Sequence, residues 1–115
     1  MITLWFDPAA LLWIGPTAGV LEAAWGGLLG VFAYAYTRGG RRRGLVFAHI
    51  YLGLGAAAAA ITAGLLALLQ GQPPVIFGSL LGLGGPLLVA AVFSLINVSN
   101  IYRDAELRRM QAMDL

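Results

Sequence analysis

An all-α membrane bundle of three transmembrane helices is the fold this sequence predicts, and three observations predict it. Apolar stretches at about 16–37, 45–69 and 75–98 fill most of the 115 residues. Each reaches the roughly 20 residues that an α-helix needs to cross a hydrocarbon core about 30 Å thick. Charged residues make up only 10% of the chain, against about 25% in a soluble domain, which is too few to cover a water-exposed surface. The third observation is the basic turn Arg38-Gly39-Gly40-Arg41-Arg42-Arg43 between the first and second stretches, which sets an orientation. Three spans with short connections leave no room for a second domain, so residues 1–115 form one membrane domain.

The opening residues 1–15 are too short to span. Asp7-Pro8 reads as a helix start, with the aspartate as cap and proline at the first helical position. Gly15-Pro16 then interrupts the pattern. The expectation is an interfacial segment over 1–15, with a short helix at 9–14 and the first span starting at Pro16. The other arrangement is one long helix kinked at Pro16. No Lys or Arg precedes Arg38, so the N-terminus lacks the charged region of a secretory signal.

Short loops rich in arginine stay in the cytoplasm. The first loop carries Arg38, Arg41, Arg42 and Arg43, and the second, Gln70-Gly71-Gln72-Pro73-Pro74, carries no charge. The tail adds Arg103, Arg108 and Arg109. All spans then agree on an outer N-terminus and a cytoplasmic C-terminus, with the bacterial inner membrane as the expected location. Trp5 and Trp13 fall at the outer interface, and Tyr34, Tyr36, Tyr51 and Tyr102 near the inner one. Residues 99–115 are expected to continue the third helix into the cytoplasm, with Asp104 and Arg108 spaced to support it at i,i+4. The arginine run Arg38, Arg41, Arg42 and Arg43 serves as topology anchor or as a contact for anionic lipid.

Apolar helices in lipid associate where small side chains let backbones approach. Small residues recur at steps of four and three along the first span (Gly19, Ala23, Gly26, Gly30, Ala33) and the second (Gly53, Ala57, Ala60, Gly64, Ala67). A shorter run, Gly78, Gly82 and Gly85, marks the third. Stripes on every span predict tight packing and more contact than one chain can use, hence a homo-oligomer or a place in a larger membrane complex. Besides those, the expected partner is the bilayer itself, and no nucleic acid.

Two ionisable residues, Glu22 and His49, fall within the spans. An intramembrane charge costs about 2.5–3.5 kcal/mol on insertion scales, which makes such residues functional candidates. Counted from span ends at Pro16 and Leu45, Glu22 lies about 9 Å from the outer face and His49 about 6 Å from the inner one. That separation argues against direct contact. Ser94 and Asn97 are the expected partners of His49, while Thr17, Trp25 and the region around Gly84-Gly85-Pro86 are those of Glu22. Pro86 removes a backbone donor and frees the carbonyl of Gly82, a candidate helix break at membrane depth.

Enzyme signatures are missing. There is no phosphate-binding loop, nucleophile elbow or metal-spaced His cluster. The absence of cysteine removes disulfides and thiolate metal sites. The reading is a transport or channel protein, with Glu22, His49, Ser94, Asn97 and Pro86 along its polar pathway and no cofactor. The alternative is a non-catalytic accessory subunit of a larger complex. A haem- or quinone-binding anchor built on His49 ranks behind both.

Overall fold

A computed structural model describes residues 4, 5, 7–37 and 39–113; Arg38 of the basic turn lies outside the described residues. The described chain is helical throughout its regular parts and has three helices long and apolar enough to cross a membrane. They are α1 (Leu11–Phe32), α2 (Arg43–Leu69) and α3 (Pro74–Met113).

Asp7 starts the chain's helical course. Its Oδ1 accepts from the Ala9 N–H at 2.9 Å, and its carbonyl accepts from the Ala10 N–H at 2.8 Å. A single 3₁₀ turn, Pro8–Ala10, runs straight into α1. The helix then continues through Pro16 rather than starting there. The separate helix expected over 9–14 is therefore the first part of α1. Proline costs one hydrogen bond in a helix interior, and the apolar residues around it leave the backbone no other partner, so the helix persists. The last turn widens into a π-helical turn, Ala33–Thr37, where the Thr37 hydroxyl donates to the Ala33 carbonyl.

The loop to α2 turns on two left-handed residues, Gly40 (φ 66°) and Arg42 (φ 50°). Arginine has no special tolerance for that conformation. It is held by the Arg41 N–H donating to Tyr36 O (2.9 Å) and by the Tyr102 hydroxyl donating to Arg41 O (2.6 Å).

α2 ends in a Schellman arrangement. Gly71 takes φ 73°, Gln72 N–H donates to Ala67 O at 2.9 Å, and Gly71 N–H to Leu68 O at 3.1 Å. Pro73 and Pro74 follow, and Pro74 is the first residue of α3, where its missing donor costs nothing.

The α2–α3 hairpin is the body of the molecule. On α2 the residues Val46, Ile50, Gly53, Ala57, Gly64 and Ala67 are buried. On α3 the buried set is Ile76, Gly84, Ala91, Val98 and Tyr102. Steps of three and four, or their sums of seven and eight, keep one seam facing a partner helix. Small residues on that seam bring the backbones close: a Cβ on Gly84 would lie 3.0 Å from Ile61 N and 3.1 Å from Ala57 O.

α3 has 40 residues and, at 1.5 Å each, is about 60 Å long. That is twice a hydrocarbon core. Its apolar part ends near Val98, and the helix carries on without interruption to Met113. Pro86 sits inside this continuous helix, so the break expected at 84–86 is not present. Pro86 and Gly82 are both exposed, on the side of α3 away from α2.

α1 meets the hairpin mainly along its last turns. Leu29 is buried with Val46, Ile50, Val98 and Tyr102, and Trp25, Phe32 and Tyr36 pack against that cluster. At the opposite end Trp5 ties the N-terminal segment to the second loop: its backbone N–H donates to Gln72 Oε1 (3.1 Å) and its indole N–H to Gln70 Oε1 (2.9 Å). Between these attachments the glycines of α1 touch nothing. A Cβ added at Gly15, Gly19, Gly26 or Gly30 would meet no atom within 4 Å.

Candidate functional site

Two groups of side chains join the helices at defined points, one on the inner face of α1 and one at the arginine-rich end.

The first is a reciprocal clasp between Trp25 of α1 and His49 of α2. The Trp25 indole N–H donates to the His49 carbonyl at 2.9 Å, and His49 Nε2–H donates to the Trp25 carbonyl at 2.8 Å. The two rings stack, with centroids 5.4 Å apart and planes 15° from parallel. Phe32 closes the group edge-on to His49 at 5.3 Å. Gly53, one turn along α2 from His49, makes room for the indole, because any Cβ there would overlap it. Each ring thus satisfies its polar atom on the other helix's backbone, which is what an indole or imidazole needs in an apolar setting.

Sequence reasoning pairs His49 with Asn97 and Ser94. In the structure Ser94 is half-buried and Asn97 exposed, and the hydrogen bond of His49 goes to Trp25. The sequence does hold a signal for the observed pair: a tryptophan in mid-span has one donor to satisfy, and Trp25 enters the sequence reading only as a neighbour of Glu22.

Depth explains the rest. α1 begins at Leu11 and α2 at Arg43, so both Glu22 and His49 lie deeper than span ends at Pro16 and Leu45 imply. Eleven residues from the start of α1 put Glu22 about 16 Å in, and six from the start of α2 put His49 about 9 Å in. The contact itself fixes their relation: Trp25 meets His49, and Glu22 stands three residues, about 4.5 Å, from Trp25 along α1, so the two ionisable residues are about one helical turn apart.

Glu22 is half-buried, at the border between the α1 face that carries Trp25 and Leu29 and the face that carries Gly19 and Gly26. No hydrogen bond or ion pair holds its carboxyl among the described residues. Thr17, considered as its partner from sequence, is exposed one turn away.

Of the glycines assigned to packing, Gly53 and Gly64 lie in close contact, Gly53 beneath Trp25 and Gly64 against Leu81, whose Cδ2 would stand 2.8 Å from an added Cβ. Gly19, Gly26, Gly30, Gly78 and Gly82 face open space. Gly84, read from sequence as part of a break, instead faces the α2 backbone, nearer to it than any other glycine of the hairpin stands to its partner helix's backbone by the reach of an added Cβ. The physical reason is angular. At 100° per residue Gly78 and Gly82 stand on the far side of α3 from Gly84, so both sets cannot meet α2.

The second group is the arginine end. The Arg42 guanidinium lies over the Tyr36 ring at 5.3 Å, and Arg43 lies over Phe47 at 5.3 Å and Tyr102 at 6.0 Å. Arg41 Nη2 donates to the Ala35 carbonyl at 3.4 Å. Aromatic rings hold two of these cations in place. A cleft of about 410 Å³ opens between the Gly39-Gly40 turn and the first part of the tail, lined by Arg43, Tyr102, Glu106, Arg108 and Arg109. A shallower groove of about 460 Å³ starts at Arg43 and follows Gly44, Phe47, Tyr51 and Ser99. Among the described residues no group of three or more His, Cys, Asp or Glu side chains is placed to hold a metal ion.

No protein-family model matches the sequence, and neither a curated protein nor a solved structure matches it.

Proposed function

We propose that the chain is one subunit of a homo-oligomeric transport or channel protein, whose pathway runs between copies along the side of α1 that carries Glu22. The observation that carries this reading is the carboxyl of Glu22, at mid-helix and without a partner among the described residues of its own chain. Its helix is also the least covered of the three: the apolar window of the first span has 0% of its residues buried. A carboxyl so placed costs free energy in lipid unless another surface or water meets it. A second copy brings both. The open glycines Gly19, Gly26 and Gly30 let backbones approach on the same helix, and protons or monovalent cations are the cargo that a lone carboxyl can relay or attract.

The test has two arms. Native mass spectrometry from mild detergent is expected to give a single multiple of the chain mass. In vesicles holding a pH-sensitive dye, with a potassium diffusion potential imposed by valinomycin, the protein is expected to pass protons. Glu22→Gln is expected to cut that flux by about tenfold or more, the scale of a lost proton-transfer group. Unchanged flux in the variant removes Glu22 from the pathway. A mass that includes another protein makes the chain a subunit of a larger membrane complex, with Glu22 meeting that partner.

In the same reading the N-terminus lies outside and the arginine end in the cytoplasm, with the inner membrane as location. The support is the charge asymmetry of the sequence: four arginines in the first loop and three in the tail, none in the 70–74 loop. Because the chain contains no cysteine, single cysteines report on this cleanly. Gln70→Cys is expected to react with an impermeant maleimide in intact cells, and Gln111→Cys only after lysis. The reverse pattern overturns the orientation.

A further inference from the structure

We infer that the arginine end binds one anionic phospholipid, with its phosphate in the cleft beside the Gly39-Gly40 turn and an acyl chain along the adjoining groove. The inference rests on two cavities that share one residue. The polar cleft is lined by Arg43, Arg108, Arg109 and the Tyr102 ring, with Glu106 as the anionic side chain among the described residues of its wall. Arginine thus predominates over carboxylate among the described lining residues, which suits a phosphate. The second groove is lined by Phe47, Tyr51, Gly44 and Ser99, and Arg43 belongs to both.

Arg43 is positioned rather than merely present. Its guanidinium rests over the Phe47 and Tyr102 rings, and those rings lie 5.8 Å apart, centroid to centroid. Stacking on rings leaves the planar edge of a guanidinium, with its fork of N–H donors, free to meet phosphate oxygens in pairs. The other described arginines of the turn are directed elsewhere, Arg42 to the Tyr36 ring and Arg41 to the Ala35 carbonyl. Among the described arginines of the run, the expected recognition narrows to Arg43, which is joined by two tail arginines about sixty-five residues away in sequence.

The order of the cavities decides between the two sources of a phosphate. Phe47 is one turn and Tyr51 two turns further along α2 from Arg43, in the direction of the apolar span. A molecule that fills both places therefore needs a charged head and an apolar body aligned with the helices, as a lipid has. Free phosphate fills only the head position.

Native mass spectrometry with added phosphatidylglycerol, phosphatidylcholine or inorganic phosphate tests this. Phosphatidylglycerol is expected to stay bound at one per chain, phosphatidylcholine to be lost, and excess inorganic phosphate to leave the bound lipid in place. Arg43→Gln is expected to lower the lipid-bound fraction about fivefold. The double variant Arg108→Gln/Arg109→Gln alters two exposed residues of the tail, with an unchanged helical circular-dichroism spectrum as its folding control, and a larger loss is expected from it, about fivefold for each arginine. Equal retention of the two lipids, or undiminished binding in the double variant, overturns the proposal. Displacement of the lipid by inorganic phosphate overturns it too, and makes the cleft a site for a soluble anion.

Discussion

Trp25→Ala is expected to free α1 from the α2–α3 hairpin while the hairpin itself stays folded. The substitution removes the indole's hydrogen bond to the His49 carbonyl, the ring stack on His49, and the body that fills the space over Gly53, and leaves only the bond from His49 to the backbone carbonyl of residue 25. Removing a large aromatic from a packed site costs about 3–5 kcal/mol when it is fully enclosed. Trp25 is only half-buried, so a loss of about 2–3 kcal/mol is the expectation on that scale. The hydrogen bonds are the smaller part, since interhelical ones in membranes average only about 0.6 kcal/mol. Trp25→Phe, which keeps a ring over His49 but loses the donor, is therefore expected to cost less than half as much as the alanine variant. Unfolding in mixed micelles titrated with a denaturing detergent measures both. A double-mutant cycle with His49→Phe isolates the pair, and a coupling of about 0.5–1.5 kcal/mol is expected for stacked rings. If Trp25→Ala unfolds with the wild-type protein, the clasp is incidental and α1 is held by Leu29, Phe32 and Tyr36 alone.

That the clasp escapes sequence reasoning while the helices do not has a physical cause. Helix existence depends on length and apolarity over twenty or more residues, and errors of a few positions leave it intact. The pairing of His49 depends on depth, where five residues are more than a full turn. Placing the first span at Pro16 treats a proline as a boundary, but in α1 it is an interior residue. That displacement, with a smaller one at Arg43, puts half a membrane between Glu22 and His49, which stand about one helical turn apart, and so hides the Trp25–His49 pair. Stripe reading has a related weakness. On α2 the stripe residues Gly53, Ala57, Gly64 and Ala67 are buried and Ala60 is half-buried. On α1 and α3 the same spacing marks faces that this chain leaves open, and periodicity alone does not tell a used stripe from an unused one. Side-chain bulk opposite the stripe does: Ile61 and Leu81 sit over Gly84 and Gly64, while nothing stands over Gly19 or Gly82. The cleft at the arginine end is half legible. Arg43 stands out with its neighbours in the turn, but the tail arginines look like anchors alone, since their approach to the turn depends on α3 running straight past Val98.

Gly84→Leu is expected to do the hairpin more harm than any other single glycine substitution, and Gly82→Leu almost none. At Gly84 the nearest obstacles to an added Cβ are backbone atoms, Ile61 N at 3.0 Å and Ala57 O at 3.1 Å, besides Ile61 Cγ1 at 2.7 Å. A flexible side chain can turn aside, whereas a helix backbone moves only as a whole. Helices in lipid are held together by van der Waals contact rather than by the hydrophobic effect, so parting α2 from α3 forfeits the contacts of Ala57, Gly64, Ala91 and their neighbours together. Overpacking by a methyl group alone costs about 1–3 kcal/mol, which is the range expected for Gly84→Ala, and leucine is expected to exceed it. Gly82 is two residues away and exposed, and a Cβ added there would meet no atom within 4 Å. In a single chain, Gly82→Leu should leave hairpin unfolding in detergent unchanged. The contrast also bears on assembly. If copies meet across the open Gly78–Gly82 side of α3, native mass spectrometry of Gly82→Leu will show smaller assemblies with an intact hairpin. If the assembly survives Gly82→Leu but dissociates in Gly26→Leu, the copies meet along α1, beside Glu22. Loss of the hairpin in Gly82→Leu, or its preservation in Gly84→Leu, would contradict the packing described for α2 and α3.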